Sequence, residues 1–182
     1  VTQGLPGGLT LLLGTDREAT AIVATDMAVS LSLSGTTTLL IDCTLPTSTA
    51  EAYLDLKLDY GIACAVADID RLDSSLLADA VMRHDASGLS LLSLDGGTGA
   101  EPVGLSPSDV VRLIQLLRVC YDHVVLCAGS LRNGGLLREL ASQAQTVEIV
   151  CSQSIRELDA CRRLLDQGAP DIGFDRARSQ RL

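Results

Sequence analysis

Apolar residues along this chain fall into short unbroken runs, separated by segments in which they recur every three or four positions. Leu9 to Leu13 is the first such run, and in the segment after it, Glu18 to Ser34, Ile22, Val23, Met27 and Leu31 recur at helical spacing and predict an inward face. Ser34-Gly35 ends that helix. Thr37 to Ile41 is a second strand, β-branched then apolar, ending in Asp42. Strand, helix, strand with a crossover of this length is a βαβ unit, which predicts a parallel, right-handed pairing. Cys43 to Gly61 is mixed, with LPTST as loop and Ala50 to Leu58 as a short helix, and Ile62 to Ala67 fits helix or strand. Asp73 to Arg83 reads as a helix, His84 to Gly88 as the turn out of it, and Leu89 to Leu94 as a third strand before the glycine loop Gly96-Gly97-Thr98-Gly99. Ser106-Pro107-x-Asp109 combines a cap residue, a first-turn proline and an early carboxylate, and opens a helix carrying Val110, Leu113, Ile114, Leu117 and Val119 to about Tyr121. His123 to Cys127 is a continuous apolar run and so a central strand. Leu131 to Gln143 is a helix, Thr146 to Cys151 a strand, and Ser154 to Asp166 a helix closed by Gly168 and Pro170. The alternation predicts an α/β fold of three layers, a mostly parallel sheet flanked by helices.

Composition agrees with this pattern. Of 182 residues 47% are apolar but only 2% aromatic, so the core must be built from Leu, Val, Ile and Ala, the texture of a parallel sheet sandwiched between helices. The length suits one domain over residues 1–182, with 1–8 as a linker or turn and 175–182 as a basic tail holding Arg176, Arg178 and Arg181. The chain starts at Val1 and stops where a further strand, Asp171 to Phe174, would begin, which is consistent with a piece of a longer protein. A net charge of −9 argues against nucleic acid or an anionic membrane as a partner through the overall field. No apolar run approaches the roughly 18 residues of a membrane span. The six cysteines, Cys43, Cys64, Cys120, Cys127, Cys151 and Cys161, show no C-x-x-C pair or metal-ligand spacing and read as small buried hydrophobes in a reducing compartment.

The stretch Leu9 to Thr20, LTLLLGTDREAT, carries the layout of a phosphate site: a strand, a tight turn and a helix N-terminus. A phosphate-cradling turn needs glycines to curl around the anion and a lysine to meet its charge. This turn offers Thr15, Asp16, Arg17, Glu18 and Ala19 instead, and Thr15-x-x-Glu18 matches a capping box, so the helix is expected to satisfy its own N–H groups. Asp16 or Glu18 within ~5 Å of a polyphosphate adds repulsion on the order of 3 kcal/mol per charge pair at an effective dielectric near 20. Elsewhere, the GGTG loop occupies a Rossmann-like place without the full G-x-G-x-x-G fingerprint, and reads as a connection. Cys127 stands at a strand's carboxyl end with no partner histidine identifiable by motif and reads as a structural thiol; His123 and His84 read as ordinary.

The succession LTLLLGTDREATAIVATDMAVSL, TTLLIDCTLPTSTAEAYLDL, RLDSSLLADAVMRHDASGLSLLS and LLRVCYDHVVLCAG resembles the ATPase domain of the CpaE/TadZ pilus-assembly proteins, in the MinD/ParA group of deviant Walker P-loop NTPases. The resemblance covers roughly Leu9 to Gly168, and Arg71 to Ser93 is its most family-specific part. The family's phosphate loop K-G-G-x-G-K-T falls on Gly14, Thr15, Asp16, Arg17, Glu18, Ala19 and Thr20. Both lysines and all three glycines are replaced, and only Thr20, the magnesium-ligating position, remains. Of the family's D-x-D after the second strand, Asp42 survives and Thr44 replaces the second acid; the Walker B acid has become Cys127.

Phosphoryl transfer is positioning and charge neutralisation, so these losses imply a degenerate, non-hydrolysing protein with no catalytic residues, no metal site and no bound cofactor, ATP and magnesium included. The resemblance further implies a scaffold or localisation factor in Tad (Flp) pilus assembly, with other pilus-assembly or secretion-machinery proteins as partners. It places the protein in the cytoplasm, at a pole or the inner-membrane face through those partners. The signature lysine's position is held by Gly14, so a homodimer is expected to form without nucleotide. Two alternatives stand beside this: an ATP-dependent dimerisation switch of the same family, and a Rossmann-like small-molecule enzyme using the GGTG loop.

Overall fold

The computed structural model describes residues 7–72, 74–94, 106–129, 131 and 134–172. Six strands form one sheet in the order β3-β4-β2-β5-β1-β6, all parallel except the two-residue edge strand β3. The strands are β1 (Gly8–Gly14), β2 (Thr38–Asp42), β3 (Met82–Arg83), β4 (Ser90–Ser93), β5 (His123–Cys127) and β6 (Thr146–Val150). The helices are α1 (Arg17–Leu33), α2 (Thr49–Tyr53), α3 (Ile62–Ala67), α4 (Ser74–Ala80), α5 (Pro107–Cys120), α6 (Gly134–Gln143) and α7 (Ile155–Ile172). The strands with unbroken apolar runs take the interior of the sheet: Leu9, Leu39, Leu40, Val124 and Val125 are all fully buried. β6, at the edge, is only half-buried.

Alternation along the strands separates two cores. Leu11, Leu39, Ile41, Val124 and Leu126 face α3, α5 and α6, through Ile62, Leu113, Ile114, Leu117 and Leu140. Leu12, Leu40, Leu91, Val125 and Cys127 face α1 and α2 through Ala21, Ala24, Ala28 and Ala50. The three-layer α/β expectation therefore holds, and Ile62 to Ala67 resolves to a helix.

Several local expectations are corrected. The first βαβ unit does not close on itself, because β5 lies between β1 and β2 and pairs with both. A local pattern states that strands run parallel but not which strand fills the gap between them. The inward face of α1 is Thr20, Ala21, Ala24, Thr25 and Ala28, while Val23 is 40% exposed and Ile22, Met27 and Leu31 are half-buried. Small residues let the helix approach the sheet closely, so the bulkier stripe one position around is pushed to the flank. The helix expected over Asp73 to Arg83 stops at Ala80, and Met82 and Arg83 pair with Leu91 and Ser90 as β3. The helix after Cys43 is shorter than Ala50 to Leu58, ending at Tyr53. The last helix continues through Gly168 and Pro170 to Ile172, so Asp171 and Ile172 are helical where a strand was expected. Glycine and proline tax a helix interior without forbidding it. The remainder of that expected strand, the GGTG loop, residues 1–6 and the basic tail lie outside the described residues. Of the cysteines only Cys43 and Cys127 are buried; Cys120, Cys151 and Cys161 are half-buried and Cys64 is exposed.

Candidate functional site

The chain leaves β1 toward β2 across one face of the sheet, by α1, and leaves β5 toward β6 across the other, by α6. The carboxyl ends of β1, β2 and β5 thus meet where connections part to opposite sides, the place where open α/β sheets bind ligands. Gly14, Asp42 and Cys127, the three strand ends singled out from the sequence, all converge on it. The two histidines do not: His123 opens β5 at the opposite end, sharing a 2.9 Å hydrogen bond with Thr10, and His84 bonds Ser87 in a turn.

Gly14 ends β1 against Thr20. A Cβ on Gly14 would lie 1.9 Å from Thr20 Oγ1 and 3.1 Å from the Val150 carbonyl oxygen, so a side chain there would force Thr20 to shift. Thr20 is fully buried and its hydroxyl donates to the Asp16 carbonyl at 2.5 Å. Asp16 is the N-cap of α1: its Oδ1 accepts from Glu18 N at 2.9 Å and from Ala19 N at 3.0 Å. The capping box expected on Thr15 and Glu18 is therefore corrected by one residue, and Glu18 is exposed. Thr15 is one step too early because its hydroxyl is engaged elsewhere, donating to Glu157 Oε2 on α7. Arg17 is exposed, and its main chain is overlain by the β5–α6 connection: a Cβ on Gly129 would lie 3.2 Å from both Arg17 Cα and Arg17 O.

Asp42 is fully buried with both oxygens engaged. Oδ1 accepts from Thr44 N at 2.9 Å and from the Thr44 hydroxyl; Oδ2 accepts from Ser48 Oγ at 2.7 Å and Ala50 N at 2.9 Å. The carboxylate thereby ties the end of β2 to the N-terminus of α2, with Ser48 capping Glu51 N in turn. Cys127 is fully buried beside it. Burial first, and the Asp42 charge second, push its thiol up to about 12, against hydrogen bonds from Gly129 and Thr44. Burial likewise raises the neighbouring Cys43 thiol well above its usual range. Both are thereby disfavoured as thiolates, the form in which a cysteine attacks a substrate or binds a metal. Among the described residues no group of three His, Cys, Asp or Glu side chains could hold a metal ion, and no helix is long and apolar enough to cross a membrane.

Glu157 is the site residue missed from the sequence. Its side chain is 13% exposed, stands 3.6 Å from Arg156, and links α7 to the turn after β1. The available signal was Ser154-x-x-Glu157, a helix-start pattern; Ser154 Oγ does accept from Glu157 N at 3.2 Å, but the acid's side chain spans 142 residues of sequence to Thr15.

No protein-family model matches the chain, and no curated protein matches it by sequence. Solved structures do match its fold. The ParA family ATPase of Chlorobium tepidum TLS superimposes with a TM-score of 0.77 at 23% identity, covering 89% of this chain and 67% of that one. MinD in the MinC:MinD cell division complex of Aquifex aeolicus gives 0.67 at 16%, covering 88% and 64%, and the apo McdA of Cyanthece gives 0.64 at 18%, covering 91% and 67%. The chain thus has the ParA/MinD-type P-loop NTPase fold and spans about two thirds of the length of these structures.

Proposed function

We propose that this chain is a non-hydrolysing protein on the ParA/MinD fold, acting as a scaffold or localisation factor in Tad-type pilus assembly. The observation that carries the first half is the Asp16 carboxylate seated on the Glu18 and Ala19 N–H groups, the donors that a phosphate would otherwise use. The remaining residues do not fit magnesium and a nucleotide. The Thr20 hydroxyl is spent on the Asp16 carbonyl, Asp42 already accepts from four donors, and a buried thiol stands at the end of β5. The pilus half rests on the resemblance carried by Arg71 to Ser93. Partners are pilus-assembly or secretion-machinery proteins, and any homodimer forms without nucleotide.

Calorimetry with magnesium and ATP tests the site: no saturable heat and no thermal stabilisation are expected. Micromolar binding would replace this reading with the nucleotide-dependent dimerisation switch. Two-hybrid pairing with the pilus-assembly proteins of its own cell tests the role; absence of any such contact would remove it.

A further inference from the structure

The last helix, α7, carries two faces. At about 3.6 residues per turn, Glu157, Ala160, Cys161 and Leu164 share the side drawn inward, where Leu164 packs on the core that α5 and α6 also cover and the helix lies against α6. Ile155, Leu158, Arg162 and Leu165 recur at intervals of three and four on a second side, which faces away. Ile155 is 87% exposed, Leu158 54% and Leu165 38%, an apolar stripe on a helix whose other face is already used. Alternating intervals of three and four are the pattern by which one helix seats against another. We propose that this stripe is the face on which a second copy of the chain docks, α7 lying antiparallel on α7 about a two-fold axis. Such a contact supplies the surface of the nucleotide-independent homodimer, and rests on that part of the function proposed above.

The charges on and beside the stripe select both the occupant and its direction. Between Ile155 and Asp166 the helix sets Arg156, Arg162 and Arg163 against Glu157, Asp159 and Asp166, so it offers no net positive charge to an anionic lipid surface, which the whole chain at −9 would also repel. Arg162 is the charged member of the stripe, 3.0 Å from Asp159 and 3.7 Å from Asp166. A parallel pair of helices would stack Arg162 on the Arg162 of the second copy, like charge on like. An antiparallel pair instead sets Arg162 level with Leu158 of the second copy and one residue from that copy's Asp159. Each arginine then shares an aspartate across the axis while its methylene stem covers the leucine. Ile155 meets Leu165 at both ends of the contact. The two-fold axis makes the stripe its own complement, an isologous arrangement that closes at two copies.

The test is sedimentation velocity of the whole chain over a dilution series without nucleotide, where a reversible monomer–dimer equilibrium is expected. Leu158→Glu should weaken the dimer about tenfold or more, whereas Val119→Glu, at an 80% exposed apolar position on α5, should leave it unchanged. Asp159→Arg and Arg162→Asp should each weaken it, and the two together in one chain should restore it, a rescue that loss of folding does not give. Both of these side chains stand at the surface, so the charge reversals decide the matter if Leu158→Glu folds poorly. A wild type that stays monomeric throughout, or that dimerises only with magnesium and ATP, would overturn the docking and the nucleotide-independent homodimer together. A nucleotide-free dimer that Leu158→Glu and the charge reversals leave intact would overturn the docking alone. Binding of the monomer to phosphatidylglycerol vesicles, lost in Leu158→Glu, would overturn it by giving the stripe to lipid.

Discussion

Replacing Asp16 with alanine removes the side chain that closes the first turn of α1. Its Oδ1 accepts two main-chain hydrogen bonds, at 2.9 and 3.0 Å, in an exposed position where water can take over part of the work. An N-cap aspartate lost to alanine costs about 1 kcal/mol, within a range of roughly 0.5–2. The loss of a negative charge at the helix N-terminus lies on the same side and adds a few tenths at low salt. For a domain of 182 residues that corresponds to a melting midpoint lower by about 2–3 °C. Asp16→Asn keeps the acceptor oxygen and should hold within about 0.5 kcal/mol of wild type, because asparagine caps about as well as aspartate. Urea unfolding followed by circular dichroism gives both differences directly. An Asp16→Ala protein as stable as wild type, or an Asp16→Asn protein as impaired as the alanine variant, would refute the assignment of Asp16 as the group that occupies those N–H donors.

Gly14→Ala should cost about 1–3 kcal/mol by overpacking against Thr20 Oγ1, and less in a Thr20→Ala background, a coupling that a double-mutant cycle of unfolding free energies would expose. Cys127→Asp restores an acid at the end of β5 but buries a second carboxylate beside Asp42; a loss of more than about 3 kcal/mol in chemical denaturation is expected, and an unchanged midpoint would contradict the described packing. Burial lowers the pKa of His123 below its ordinary 6.5, so the folded state favours the neutral ring. The unfolded chain then binds the proton first as pH falls below 6.5, and stability should decline from there down to the folded pKa; His123→Gln should flatten that slope in pH-dependent melting. The hydrogen bonds that Thr37 gives Asp122 lower that carboxyl, so its contribution is present above 3.8 and is lost only at more acidic pH, leaving the two windows separable.

Sequence periodicity by itself determined the layered α/β architecture, because strands buried on both faces must be apolar throughout and the helices that cover them must repeat every three or four residues. It also determined the centrality of β5, whose HVVLC run admits no solvent-facing side, and the start of α5 at Ser106-Pro107. The replacement of lysine and glycine by Asp16, Arg17 and Glu18 was equally legible, since charge and the absence of a Cβ are properties of the residue and not of its neighbours. Which residue caps α1 was not. Asp16 takes that role over Thr15 because the Thr15 hydroxyl is drawn to Glu157, a partner 142 residues away that no local pattern announces. Likewise the bulk of Ile22 and Met27 suggested the wrong stripe of α1, since the distance between helix and sheet is set by how all three layers pack. The insertion of β5 between β1 and β2 was decided in tertiary structure for the same reason. Hydrophobic pattern reports which side of an element is dry, and only the closed packing of the whole chain selects which residues share that dryness.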